Sequence, residues 1–157
     1  MLTLAGAAAL SPFRLRRLLG EVQSIAGHVR AVQARFMHFI EIDGDPRDDE
    51  RATLQQLLDY GPHREAQQCA GELFLVVPRP GTLSPWSSKA TDIARNCGLA
   101  RVRRIERGIA YYVRGDGTIG ANEKTMRARL AAPLHDRMVE AVFASLDDAA
   151  NLFVHET

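Results

Sequence analysis

The chain has 157 residues, the size of one domain, and a chain of that length buries roughly two-thirds of its unfolded surface, so it needs neither a disulfide framework nor a metal to fold. Hydrophobic residues are 46% and charged residues 25%, an ordinary globular balance; 20 basic against 19 acidic side chains leave a formal charge of +1, which removes the electrostatic case for nucleic acid or an anionic membrane. The two cysteines, Cys69 and Cys97, are isolated and lack C-x-x-C spacing, which speaks against structural zinc or a redox motif and fits a reducing cytoplasm.

The first ten residues resemble a leader, but no basic segment precedes the apolar run from Leu2 to Leu10, which stops at Ser11-Pro12 and is far too short to cross a bilayer. Leu2 to Ala5 is therefore read as a short buried strand of a soluble protein. Ser11 followed by Pro12 is a cap with proline at the first helical position, and Leu15, Leu18, Leu19 and Val22 continue that helix to about Ile25. Val32, Ala34, Phe36, His38, Ile40 and Ile42 then alternate with polar positions such as Arg35 and Glu41, as in a long half-buried strand. A second helix is expected from Asp45-Pro46, with Asp48, Asp49 and Glu50 at its positive end, Leu54, Leu57 and Leu58 along its apolar stripe and a stop at Gly61-Pro62. Leu73 to Val77 suits a central strand. Ser84-Pro85 repeats the cap for a helix ending at Gly98, and Val102 to Arg114 makes another long strand. Asn122 caps a further helix, and Leu134 to Phe153 reads as a last one, with Met138, Val142, Phe143 and Leu146 on one face.

The order β-α-β-α, twice over, suggests an internal pair. Shifting the sequence by 73 residues lays Leu10-Ser11-Pro12-Phe13 on Leu83-Ser84-Pro85-Trp86, Val29-Arg30 on Val102-Arg103, and His38-Phe39-Ile40 on Tyr111-Tyr112-Val113. The expected fold is one α+β domain over 1–157 with two matching halves, 1–72 and 73–157. Their strands form a sheet covered by helices, with parallel neighbours and right-handed crossovers within each unit.

Little of the sequence points to chemistry, and no catalytic residue is assigned. Gly115-x-Gly117-x-x-Gly120 matches the dinucleotide fingerprint in letters, but that fingerprint needs a following strand with an acidic residue about twenty positions on, and Asp136 sits in a helical pattern. Cys97, in the last turn of its helix, is disfavoured as a thiolate by the negative end of the dipole. His28, His38, His63, His135 and His155 have no ligand spacing, so no metal site is expected, and His38 on an apolar strand face reads as a hydrogen-bonded core residue. Arg101, Arg103, Arg104 and Arg107, with Glu106 among them, read as a solvated or ion-paired sheet edge, without the interleaved aromatics that would stack bases. The unusual segment is 82–92. There Ser84, Trp86, Ser87, Ser88, Lys89, Thr91 and Asp92 crowd the first turns of a helix whose positive end, hydroxyls and ammonium suit an anion or a partner carboxylate. The same residues equally describe a well-capped helix that Trp86 anchors to the core.

That segment, extended from Pro78 to Leu99 as P-R-P-G-T-L-S-P-W-S-S-K-A-T-D-I-A-R-N-C-G-L, resembles the N-terminal domain of large single-chain bacterial phosphoribosylformylglycinamidine synthase (formylglycinamide ribonucleotide amidotransferase). The resemblance continues through Arg104 to Tyr112, Leu134 to Met138, Ser11 to Arg14 and Leu57 to Pro62, so it covers essentially the whole chain; Arg95 and Leu83 stand where relatives often carry His and Ile. It implies a glutamine- and ATP-dependent cytoplasmic ligase of de novo purine biosynthesis, in which a glutaminase domain releases ammonia and a synthetase domain binds ATP and Mg²⁺ and consumes it. It also implies that this domain resembles a dimer of the small subunit found in multi-component versions of the enzyme, that its end leads into a linker and the synthetase domain, and that those two domains are its partners. On that reading the chain holds no cofactor, contacts neither nucleic acid nor membrane, is inactive alone, and bridges the domains for ammonia coupling. The rival expectation is a free-standing ferredoxin-like regulatory or ligand-sensing domain.

Overall fold

A computed structural model describes residues 1–58, 71–80, 84–115 and 124–153. The chain runs β1 (Leu2–Ala8), α1 (Pro12–Ile25), β2 (Val29–Ile42), α2 (Asp48–Leu57), β3 (Glu72–Pro78), α3 (Pro85–Asn96), β4 (Val102–Gly115), α4 (Lys124–Ala131) and β5 (Glu140–Phe143), with short 3-10 segments at Ala132–Leu134 and Asp147–Phe153. The architecture is α+β: a five-stranded sheet in the order β1-β2-β4-β3-β5 with the helices laid on it.

Every neighbouring pair of strands is antiparallel, which corrects the expected parallel pairing within each unit. The reason is strand length. β2 and β4 have 14 residues each, β1 and β3 only 7. β1 pairs with the second half of β2 (Leu2↔Ile40 to Ala8↔Arg35), so the first half of β2 runs on past its end. A helix of 14 residues is about 21 Å long, close to the ~23 Å of seven extended residues. α1 therefore continues in the direction of β1 alongside the uncovered half of β2, and the chain must return antiparallel. The same geometry recurs with β3, α3 and β4, where pairing stops at Val76↔Ile109.

The two long strands lie side by side at the sheet centre, and Phe36 pairs with Ile109, the residue that the 73-residue shift lays on it. Ser11 and Ser84 both cap helices that open with proline, each accepting a backbone N–H three residues on. The helix ends match as well: Gln23 donates to the Val29 carbonyl at 2.9 Å and Arg95 to the Val102 carbonyl at 3.2 Å, each reaching the first residue of the following long strand.

One face of the sheet carries two apolar clusters. Leu18, Val22, Leu130 and Leu134 from α1 and the α4 end cover Val29, Val32, Phe74, Tyr111 and Val113. Leu54, Leu58, Ala94 and Leu99 from α2 and the α3 end cover Leu2, Ile40, Val102 and Ile105. Each half thus packs its second helix on the first helix of the other. On the opposite face Ala149, Leu152 and Phe153 seal Met37, Phe39, Leu75, Val77 and Ala110. Complete burial of Phe39 and Phe74 contributes about 2–3 kcal/mol each.

The expected helix from Leu134 to Phe153 does not form. Glu140–Phe143 instead adds an edge strand to β3 (Leu75↔Phe143 to Pro78↔Glu140), and the 3-10 segment follows. Met138, Val142 and Leu146 are spaced by four, which suits a strand face as well as a helix face, and pairing with β3 decided between them; Met138 itself is exposed. β1 extends to Ala8 as the opposite edge strand, longer and less buried than expected. α2 begins at Asp48. The expected stop at Gly61-Pro62, the cap at Asn122, Cys69 and all of the glycine motif after Gly115 lie outside the described residues.

α2 is tied to the turn before β4. Arg101 donates through Nε to Glu50 Oε2 at 3.2 Å and through its terminal nitrogens to Glu50 Oε1 and to the carbonyls of Asp43 (2.8 Å) and Asp45 (2.9 Å). The hydrogen bonds from Arg101 and from the Arg47 N–H hold the Glu50 pKa at about 2, below its ordinary 4.5, against the desolvation of a nearly buried carboxylate. A depressed carboxylate pKa stabilises the fold above 4.5 and loses that contribution as pH falls toward 2. Glu50→Gln is expected to melt at a lower temperature than the wild type near neutral pH, with the gap closing between pH 4.5 and 2; a pH series of thermal melts of both proteins checks it.

Candidate interface site

The edge of β4 that β3 does not reach would expose backbone groups, and the first turns of α3 supply their partners. Ser84 caps the helix by accepting the Ser87 N–H at 3.0 Å, and its hydroxyl donates to Glu106 Oε1 at 3.0 Å. The Ser87 hydroxyl donates to the Ile105 carbonyl. Thr91 Oγ1 accepts the Ile105 N–H at 3.0 Å and donates to the Ser87 carbonyl at 2.7 Å. Both backbone groups of Ile105 are thus satisfied by α3 side chains, which is why Ser87 and Thr91 are buried although polar.

Glu106 closes the arrangement. Its Oε1 also accepts the Arg107 N–H at 3.0 Å, and its Oε2 pairs with Arg104 at 2.8 Å. Arg104 in turn donates to the Leu152 carbonyl at 2.9 Å and lies 5.5 Å from the centre of the Phe153 ring, tying this edge to the 3-10 segment on the other face. Glu106 is 1% exposed, yet both of its oxygens have partners, as a buried carboxylate requires.

Trp86 locks the turn from the helix side. The Arg107 guanidinium lies between two rings, 4.6 Å from the centre of Trp86 and 4.4 Å from that of Phe36, while Trp86 stacks on His38 at 5.9 Å. His38 is fully buried, and burial first, then Arg107, push its pKa down to about 4 against a backbone hydrogen bond with Leu4. Gly6 on β1 makes room for it: a Cβ there would fall 2.6 Å from the imidazole Cε1. Phe36, Ser84, Trp86, Glu106, Arg107 and Glu140 line a cleft of about 190 Å³ at the sheet centre.

The seven residues singled out in 84–92 therefore divide. Ser84, Ser87 and Thr91 hold β4, and Trp86 anchors the turn. Ser88, Lys89 and Asp92 are exposed on the outer side of the same two turns. Lys89 stands at a groove of about 320 Å³ lined by Leu57, Leu58, Trp86, Ala90, Ile93 and Ile105. Of the arginines near the start of β4, Arg101 and Arg103 pair with Glu50 and Asp43, and Arg104 with Glu106, so the ion-paired reading describes them. Sequence reasoning missed the joint role of His38, Glu106 and Arg107. His38 stands opposite Arg107 in register, across a pair of strands that no local pattern could align. Cys97 is exposed at the C-cap of α3. Among the described residues no group of His, Cys, Asp and Glu could hold a metal, and no helix is long and apolar enough to cross a membrane.

A family model described as formylglycinamide ribonucleotide amidotransferase N-terminal matches residues 35–153, from within β2 to the end of the last 3-10 segment, and so spans this site except for the β1 residues beside His38.

Two expectations test the division. Thr91→Val and Ser87→Ala leave a buried Ile105 N–H or carbonyl without its partner and should each destabilise the protein by about 1–3 kcal/mol, whereas Ser88→Ala and Lys89→Ala should stay within about 0.5 kcal/mol of wild type; urea titrations of the four variants measure this. For His38 the neutral form is the one the fold accepts, so its contribution is complete above pH 6.5 and is lost as pH falls toward 4. Stability should drop by about 2 kcal/mol between neutral pH and about pH 5 on this account, and His38→Leu should flatten that slope.

Proposed function

The chain belongs to the formylglycinamide ribonucleotide amidotransferase N-terminal family, that of a purine-biosynthesis enzyme, and we propose that it serves there as the bridging and ammonia-coupling domain. The parent enzyme is a cytoplasmic carbon–nitrogen ligase that converts formylglycinamide ribonucleotide, glutamine and ATP to the amidine, glutamate, ADP and phosphate. ATP, Mg²⁺ and the thiol that attacks glutamine belong to its synthetase and glutaminase domains, which are the partners of this one. Ammonia released into water is protonated at neutral pH and loses the lone pair that the ligase step needs, so two active sites that share it must be held in register.

What supports this reading, beyond the family match, is the way α3 is built. Its inner hydroxyls are committed to Ile105 and Glu106, so the outer row of Ser88, Lys89 and Asp92 is presented on a helix that cannot shift without breaking buried hydrogen bonds. A cation beside an apolar groove on a rigid support suits a partner surface carrying a carboxylate.

The test compares nitrogen sources in the full-length enzyme. With Ser88→Ala or Lys89→Ala, glutamine-dependent amidine formation should fall about 2- to 5-fold, the size expected of one partly exposed polar contact, while the rate supported by ammonium salt hardly moves. The isolated 157-residue chain should form neither amidine nor glutamate. No loss with glutamine, an equal loss with both nitrogen sources, or a loss matched by a lowered melting temperature of the chain, would refute the coupling role.

A further inference from the structure

The outer face of α1 carries features that this fold does not use. Phe13 is 68% exposed. The 73-residue shift lays it on Trp86, which is half-buried against His38 and Arg107, whereas the position matching Arg107 is Ala34, too short to cover a ring. Arg14, Arg16 and Arg17 follow within two turns, all exposed, and the first turn of α1 contains no acidic residue. Cations at the positive end of a helix oppose its dipole, so α1 gains nothing from them by itself. Among the described residues the ion pair in this group is Arg17 with Glu21, at 4.0 Å and largely exposed.

Gly20 adds an independent observation. It lies seven residues after Phe13 and three or four after Arg17 and Arg16, hence on the same side of the helix. A Cβ built there meets nothing within 4 Å, and its φ is not in the left-handed region. Glycine in a helix interior is destabilising relative to alanine, and no neighbour among the described residues and no backbone angle asks for it. What glycine does offer on an outer face is close approach of another backbone.

We propose that Phe13, Arg16, Arg17 and Gly20, with Arg14 beside them, form a docking surface for an acidic helix of another protein domain. Phe13 enters an apolar pocket flanked by carboxylates, the planar guanidiniums pair with those carboxylates, and the partner's backbone lies against Gly20. A protein partner fits better than nucleic acid, because the chain as a whole is nearly neutral and Glu21 stands within the patch. The inference stands on α1 alone. It deepens the bridging role by naming a second contact, on a helix that lies over the other apolar cluster from the one beneath Lys89.

Hydroxyl-radical footprinting tests it, with Phe13 oxidation read by mass spectrometry in the full-length enzyme and in the 157-residue chain. Phe13 should be oxidised several-fold more slowly in the full-length enzyme. Gly20→Gln should restore its reactivity there while leaving the melting temperature of the 157-residue chain unchanged or raised. Equal oxidation in both proteins overturns the proposal, as does a Gly20→Gln variant that stays protected. Protection that appears in the chain alone as its concentration rises would assign the surface to a second copy, and protection by an added single-stranded oligonucleotide would assign it to nucleic acid; either result also overturns it. Protected Phe13 with glutamine-to-amidine coupling unaffected in the Lys89→Ala enzyme would sink the bridging role and leave this surface standing. The reverse pair of results would do the opposite.

Discussion

A strand of 14 residues beside one of 7 leaves half of its edge without a ladder partner, and the rest of this fold follows from how those open edges are closed. Water would satisfy them on an exposed edge, but here the edge of β4 lies beneath helices. At β4 the solution is explicit: Ser87 and Thr91 stand in for the missing strand at Ile105, and Ser84 and Arg104 satisfy Glu106 next to it. The helix is thereby fixed lengthwise as well as sideways, because a shift of one turn would break the hydrogen bonds and withdraw Trp86 from Arg107 and His38.

The same economy explains why the halves cannot be separated. β2 and β4 are the central pair of the sheet, and each apolar cluster beneath the helices takes one helix from either half. Neither half has a closed core. The mates are not equivalent in detail, however. Trp86 finds Arg107, but Phe13 is 68% exposed and the position matching Arg107 is Ala34, so one helix start has become an internal lock while the other stays open.

Much of this was legible from residue order. The proline-led caps at Ser11 and Ser84, the alternation of β2 and β4, and the shift of 73 residues are local signals, set by backbone sterics and side-chain periodicity, and they located α1, α3 and both long strands closely. The segment from Leu134 to Phe153 was misread because residues four apart serve a strand face and a helix face alike, and the available edge of β3 settled it. The two readings of 84–92 stayed open in the sequence for a related reason: how many hydroxyls α3 needs depends on how far β3 reaches along β4, and that is a property of the paired sheet.

Sequence by itself determined the first three helices, both long strands, the shift of 73 residues that relates their caps, and the family text, because each is written in contiguous residues. Only the tertiary structure decided the antiparallel directions, the placement of His38 opposite Arg107, and which hydroxyls of α3 turn inward. Those depend on register between segments from about fourteen to about seventy residues apart, where the free energy resides in contacts that no single stretch of chain contains.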